Sequence, residues 1–408
     1  MLGNIDYKNY KKKDDIHGTV LYPAVMVAPV QKKILASIIS KEKISSVFDP
    51  FHGSGTALYE AFEISSKIRL IGCDINPLAN LITQVKLQGV DKSIQYDIDK
   101  IETFINDPQY IYNFSFPNIN KWFKADMIES LALLRTAIMS TENKKNRLYF
   151  WYILSDVIRF NSNTRSSTYK LHIKDENTIE NMENNIINDF LDGAKKHYTK
   201  FDRKSKYFVL YKDDIINIID KFKKDSFDIS ITSPPYGDNA TTVPYGQFSM
   251  LSLYTIPKND LELCGWELDN YSTLDKRSMG GSDKENLLGD YEMSLIKYYL
   301  SRISISKRKK IIRYFKDYFC FLKELCRVTK KYIVLTLGNR TVDRVKINLV
   351  LITKKYLKEN NFKIIGFTRR VIPRKRIPKL TSNVSQKPVN SMNCEYVLIY
   401  KKSSNSQQ

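Results

Sequence analysis

Two short stretches carry residues whose types and spacing suit chemistry on a planar amine. In FDISITSPPYG (227–237) an apolar run stops abruptly at Ser233-Pro234-Pro235-Tyr236. Proline has no N–H and restricts the residue before it, so the segment is rigid and offers acceptors without donors. Those acceptors are the Ser233 oxygen and the Pro234 carbonyl, and Tyr236 adds a flat face for stacking. Such a set fits an exocyclic amino group, its N–H bonds held by two acceptors and its ring lying on the tyrosine. Pro-Pro-Tyr alone is also what an ordinary turn looks like. Its meaning depends on a second stretch.

That stretch is DPFHGSGT (49–56). Here a strand ends at Asp49-Pro50, Phe51 follows, and Gly53 and Gly55 turn the chain into a helix that begins at Thr56. Glycines let the backbone approach a ligand, and the helix N-terminus points free N–H groups at negative charge. No Gly-Lys-Ser/Thr follows, so a nucleotide triphosphatase loop is disfavoured. GCDINP (72–77) then sets Asp74 at the tip of the next strand, where an acid accepts hydrogen bonds from ribose hydroxyls in doubly wound folds. The third glycine of a dinucleotide fingerprint is missing, which turns the pattern away from NAD and toward another nucleoside-bearing cofactor.

Both sites need a parallel sheet whose carboxyl ends lie together. Strand-like runs at 44–51, 68–75, 206–214, 227–236, 332–339, 362–371 and 395–402 alternate with helical patterns, the signature of an α/β fold with seven strands. Ligands of such sheets bind at the carboxyl ends of the strands, which would place 233–236 beside the glycine turn. The chain divides into 1–90, the cofactor half of the core; 91–205, a helical insertion; and 206–408, the catalytic half, interrupted by a polar insertion at about 240–310 with little strand signal.

Composition limits what the sites can serve. The 408 residues carry a formal charge of +21 and 42% hydrophobic residues, so a sizeable core and a polyanionic partner are both expected. No apolar run reaches the ~20 residues of a membrane span, and the basic start has no apolar stretch behind it, so a cytoplasmic protein is expected. Five scattered cysteines without a C-x-x-C pair, and only four histidines, argue against disulfides and against a metal site. The densest basic stretch is RRVIPRKRIPK (369–379), and its Arg370, Arg374, Lys375 and Arg376 are candidates for phosphate contact. SKRKK (306–310) fits phosphate contact and a plain charged helix start equally, and NSNTRSSTYK (161–170), polar with a Tyr, is a loop by default with nucleic-acid contact as its alternative.

The motifs together resemble the S-adenosylmethionine-dependent amino-methyltransferases of DNA, the cytosine-N4 and adenine-N6 enzymes of restriction–modification systems. DPFHGSGT is similar to their cofactor motif, GCDINP to their acidic second motif, and TSPPY to their catalytic motif. HGTVLYPAVMVAPVQKKIL (17–35) resembles the leader some of them place ahead of the glycine turn. The resemblance implies a Rossmann-like methyltransferase sheet with helical insertions, S-adenosyl-L-methionine as cofactor, double-stranded DNA as substrate and a cognate restriction endonuclease as partner. In its terms Asp49, Phe51, Gly53, Gly55 and Thr56 hold the methionine part, Asp74 the ribose and Ile75 the adenine face. Asp213 accepts from the adenine amine, with Asp214 an equal candidate. Serine before Pro-Pro is similar to the cytosine-N4 branch. Putting the cofactor motif first, and the large insertion after the second strand, depart from part of the family.

A cytosine-C5 mechanism needs a cysteine nucleophile, usually after a proline, and none of the cysteines here follows one. The rival enzymatic readings are an adenine-N6 DNA methyltransferase and an RNA guanine-N2 or adenine-N6 methyltransferase. A non-catalytic nucleic-acid-binding protein on the same fold is the alternative of a different class, and the intact acceptors at 233–236 speak against it.

Overall fold

A computed structural model describes residues 7, 9–237, 243–262, 272–281, 287–371 and 394–403. All seven expected strands form and join one sheet: β1 (Ser46–Asp49), β2 (Arg69–Cys73), β3 (Phe208–Tyr211), β4 (Phe227–Thr232), β5 (Thr329–Leu337), β8 (Phe362–Val371) and β9 (Cys394–Lys402). Their order is β3-β2-β1-β4-β5-β9-β8. The pairings from β3 through β5 are parallel, and β9 runs antiparallel to both of its neighbours. A hairpin that sequence reading did not anticipate, β6 (Arg340–Val342) with β7 (Val345–Ile347), follows β5.

The local reasons are plain. Every residue of β1 and β4 is buried, as expected for parallel strands covered on both faces. Phe48 of β1 stacks on Phe227 of β4 at 4.4 Å between centroids. Such a pair is worth roughly 0.5–1.5 kcal/mol beyond its buried area. Helix α1 (Ala28–Ile39) precedes β1 and packs on α2 (Thr56–Ile64), which follows the glycine turn; α3 (Pro77–Gln88) opens with proline in its first turn and an Asn76 cap. Pro77 is tolerated there because its missing N–H would have had no intrahelical partner.

The stretch 91–205 is helical as expected: α4 (Ile94–Asn106), α5 (Ile119–Trp122), α6 (Ala125–Met139), α7 (Lys144–Asn161), α8 (Glu176–Glu180) and α9 (Ile186–His197). Its α7 buries Tyr149, Phe150, Trp151 and Tyr152 in the same continuous core as α1, α2 and α3. The Asp156 carboxylate of α7 accepts from Leu21 N–H at 2.7 Å, and the Tyr152 hydroxyl pairs with Thr19. The insertion therefore fixes the leader segment against the sheet.

After β3, α10 (Ile215–Ile218) leads into β4. The stretch read as a polar insertion begins with a buried helix, α11 (Tyr245–Thr255), followed by α12 (Ser272–Arg277) and α13 (Asp290–Leu300). Serines and a glutamine hide the apolar character of α11: Ser249 and Ser252 are buried and hydrogen-bonded to neighbouring elements. Ser306 to Lys310 do fall in the opening turns of a charged helix, α14 (Ile305–Val328), and α15 (Leu349–Glu359) precedes β8.

Candidate active site

The sheet order makes β1 and β4 neighbours at the point where strand order reverses, so their carboxyl ends form one crevice. From β1 the chain turns through Gly53 and Gly55, both at positive φ (51° and 72°), and enters α2. The turn is tied down from below. Gly53 N–H donates to the Asp74 carboxylate at 2.9 Å, and Asn76 N–H reaches its other oxygen at 2.8 Å. His52, fully enclosed, meets Asn80 Oδ1 through Nε2 and Thr83 Oγ1 through Nδ1. Lys86, also buried, donates to the Ser54 carbonyl at 2.8 Å, and burial pushes its ammonium pKa down to about 7.

Asp49 ends β1 with no exposed surface. Its Oδ1 accepts from Phe51 N–H at 3.2 Å, while Oδ2 is buried without a hydrogen-bond partner. Burial pushes its pKa up to about 7, and the Thr232 hydroxyl at the end of β4 and the Phe51 N–H hold it down. Phe51 packs edge-on against Phe321 of α14, and the Thr56 hydroxyl is another buried group without a partner. Asp74 and Ile75 are half-buried at the end of β2. Both Asp74 oxygens already accept backbone donors, so any ribose would use their second lone pairs.

Asp213 and Asp214 separate in role. Asp214 caps α10 by accepting from Ile216 N–H. Asp213, half-buried at the carboxyl end of β3, accepts from Asp214 N–H and from Asn217.

On the other side of the crevice, Ser233 Oγ lies 3.1 Å from the Tyr236 hydroxyl. The Pro235 carbonyl accepts from Tyr314 of α14 at 2.6 Å. A side chain on Gly237 would collide with the Arg340 guanidinium. Burial, and then Glu395 beside it, hold the Tyr236 phenol well above its usual pKa.

Several residues here were not singled out from sequence. Tyr22 of the leader stacks on Tyr245 (5.9 Å) and accepts from Asn76 Nδ2 at 3.1 Å; Phe248 meets Tyr22 edge-on. Tyr22 lies against Gly53 of the turn, and the signal for these rings was the Tyr-Pro of the leader and the aromatics directly after the catalytic loop. Tyr314 and Glu395 carried no signal, because their roles arise only from tertiary contact.

Arg370, a candidate for phosphate contact, has a partner within the sheet. It lies inside β8, pairs across the ladder with Glu395, and forms an ion pair with it at 2.8 Å while only 12% of its side chain is exposed. Arg374, Lys375 and Arg376 lie outside the described residues. Among the described residues no metal-ligand cluster occurs, and no helix is long and apolar enough to cross a membrane.

The glycine turn, the acidic second motif and Ser-Pro-Pro-Tyr carry the resemblance to the DNA methyltransferases, and a relative bears it out. Along almost its whole length the chain is similar to the Type II methyltransferase M.MvaI of Kocuria varians, with 28% identity over 430 aligned positions covering 97% of this chain and 93% of the relative. Among solved structures, a protein described as a putative DNA modification methylase of Thermus thermophilus, complexed with S-adenosyl-L-methionine, aligns at 13% identity and a TM-score of 0.23, over 48% of this chain and 56% of its own. No protein-family model matches.

Proposed function

We propose that this protein is a DNA methyltransferase of a restriction–modification system that transfers a methyl group from S-adenosyl-L-methionine to the exocyclic N4 amine of cytosine. The observation that supports the proposal is the pairing of β1 with β4, whose carboxyl ends lead into the glycine turn and into Ser-Pro-Pro-Tyr. The cofactor supplies an electrophilic sulfonium methyl. The chain's residues fit it: Asp49 Oδ2 is a buried acceptor with no partner, suited to the methionine ammonium, and Gly55 holds the turn so close to Thr83 that it has no room for a Cβ. Phe51, Gly53, Gly55 and Thr56 would line the methionine end, Asp74 and Ile75 the ribose and one adenine face, and Asp213 the adenine amine.

A cytosine amine is a weak nucleophile because its lone pair is delocalised into the ring. Acceptors at Ser233 and Pro234 that bind both N–H groups favour a pyramidal nitrogen and aim its lone pair. Tyr236 supplies the stacking face. A stacked duplex base cannot reach this crevice, so the base must be flipped out, at a cost of a few kcal/mol. Methylating DNA with tritiated cofactor and digesting it to nucleosides should put the label in N4-methylcytosine. Label in N6-methyladenine would keep the class and overturn the choice of base; label in 5-methylcytosine would overturn both.

Asp49 gives the cofactor site a signature in pH. Its pKa, about 7 against an ordinary 3.8, means that the free protein holds a proton there which a cationic ligand would expel. Affinity should therefore rise with pH up to about 7, by at most tenfold per unit, and then level off. The same raised pKa makes the contribution of Asp49 to folding stability fall as pH rises between about 4 and 7. Calorimetry below pH 7 in buffers of different ionisation enthalpy should show proton release that Asp49→Asn abolishes. Equal heats in all buffers for the native protein would remove Asp49 from the site.

The grip on DNA is assigned to Arg374, Lys375 and Arg376. Neutralising all three should lower the slope of log affinity against log salt by about 2–3, at ~0.9 for each phosphate no longer neutralised. An unchanged slope would assign the segment to solvent.

A further inference from the structure

A serine in the catalytic position raises a problem that an aspartate or an asparagine carbonyl does not. A hydroxyl can donate as well as accept. If the Ser233 proton pointed at the target amine it would oppose the lone pair it is supposed to expose. The surroundings of Ser233 resolve this.

Ser233 Oγ meets the Tyr236 hydroxyl at 3.1 Å, and the Glu395 carboxylate lies beside that hydroxyl, its charge raising the phenol's pKa. Glu395 in turn is ion-paired to Arg370 at 2.8 Å, the two lying opposite each other in the β8–β9 ladder. A carboxylate only accepts, and its charge draws the one hydroxyl proton beside it, so the Tyr236 proton is directed toward Glu395. The tyrosine oxygen is then the acceptor toward Ser233, and the serine proton is directed at it. What remains on Ser233 Oγ is lone pairs.

We infer that Glu395, anchored by Arg370, is a positioning residue that fixes the direction of the chain Ser233→Tyr236→Glu395 and so makes Ser233 an acceptor toward the target amine. The inference rests on the methyltransferase reading above and adds two roles to it. The hydroxyl of Tyr236 matters in addition to its ring, and Arg370 acts through Glu395 and not on DNA.

The test is a double-mutant cycle in single-turnover methyl transfer on duplex DNA, with melting temperature and DNA and cofactor affinities measured for every variant. In Glu395→Gln, Arg370 takes the amide oxygen and leaves the NH2 group toward Tyr236. The chain then reverses and presents the Ser233 proton to the amine. Glu395→Gln should slow transfer by about ten- to a hundredfold, the worth of one such hydrogen bond, with both affinities within about threefold of the native protein's. Tyr236→Phe keeps the ring, frees the serine proton, and should slow transfer by about tenfold. The double variant should be no slower than the worse single one, since without the tyrosine hydroxyl Glu395 has no chain to direct. A native transfer rate in Glu395→Gln, or losses that multiply in the double variant, would overturn the inference. Should Glu395→Gln fail to fold, Tyr236→Phe decides alone, and full activity there overturns it. No methylated product from the native protein would instead sink the methyltransferase reading, and this inference with it.

Discussion

Gly55→Ala is expected to raise the cofactor dissociation constant by about a hundredfold or more while the protein stays folded. Gly55 sits at φ 72°, and a Cβ there would lie 2.6 Å from both the Oγ1 and the Cγ2 of Thr83. The left-handed backbone alone disfavours alanine by roughly 1–2 kcal/mol. The collision adds more, because Thr83 cannot swing aside cheaply: its hydroxyl bonds His52 and donates to the Gly53 carbonyl at 3.0 Å. Relief therefore comes from moving the turn, which displaces the backbone that would cradle the methionine end. Gly53→Ala is the internal control. It has the same handedness (φ 51°), but its nearest neighbour is Tyr22 at 3.5 Å, an ordinary van der Waals approach. Only the backbone strain remains, and a loss of about tenfold is expected. Calorimetric titration of S-adenosylmethionine into both variants checks this. Gly55→Ala binding within about threefold of the native protein would refute the cradle.

That contrast also marks how far sequence could go. Gly53 and Gly55 are legible as a turn because a glycine pair between a strand and a helix has few other uses. That one of them is sterically locked and the other merely left-handed is a property of Thr83, which belongs to α3, beyond both the next helix and the next strand. The seven strands were legible for a similar local reason, since short β-branched and aromatic runs punctuated by turns have little else to be. Their ends shifted by a few residues where the strand hydrogen bonds stop before the apolar run does, as at β4, where Thr232 closes the ladder ahead of the prolines.

What resisted reading was whatever depends on two distant segments. Arg370 belongs to a dense basic stretch, and charge density predicts phosphate. In the sheet, antiparallel pairing sets Glu395 opposite it, and a neighbouring carboxylate claims a guanidinium before solvent does. Register across a ladder is invisible in one strand's composition. The buried helix α11 was hidden the opposite way: its serines look polar until Asn76 and the Ser155 carbonyl are brought to them.

Tyr236→Ala is expected to abolish nearly all turnover, about a thousandfold in kcat/KM, with cofactor affinity unchanged. Two losses combine. Removing the ring forfeits base stacking worth ~1–3 kcal/mol, and removing the hydroxyl releases the Ser233 proton toward the amine it should accept from. Cofactor affinity should survive because the turn is held by Asp74, Asn80, Thr83 and Lys86, none of which bonds Tyr236. The two losses separate by observable. With 2-aminopurine at the target position, the ring controls how much of the base is held extrahelical, so the fluorescence gained on binding should fall in Tyr236→Ala and persist in Tyr236→Phe. The methyl-transfer step responds to the hydroxyl as well, so it should slow in both variants and furthest in Tyr236→Ala. Turnover by Tyr236→Ala within about threefold of the native rate would mean that the target base stacks elsewhere, and that the strand ends at Ser-Pro-Pro-Tyr for a reason other than this chemistry.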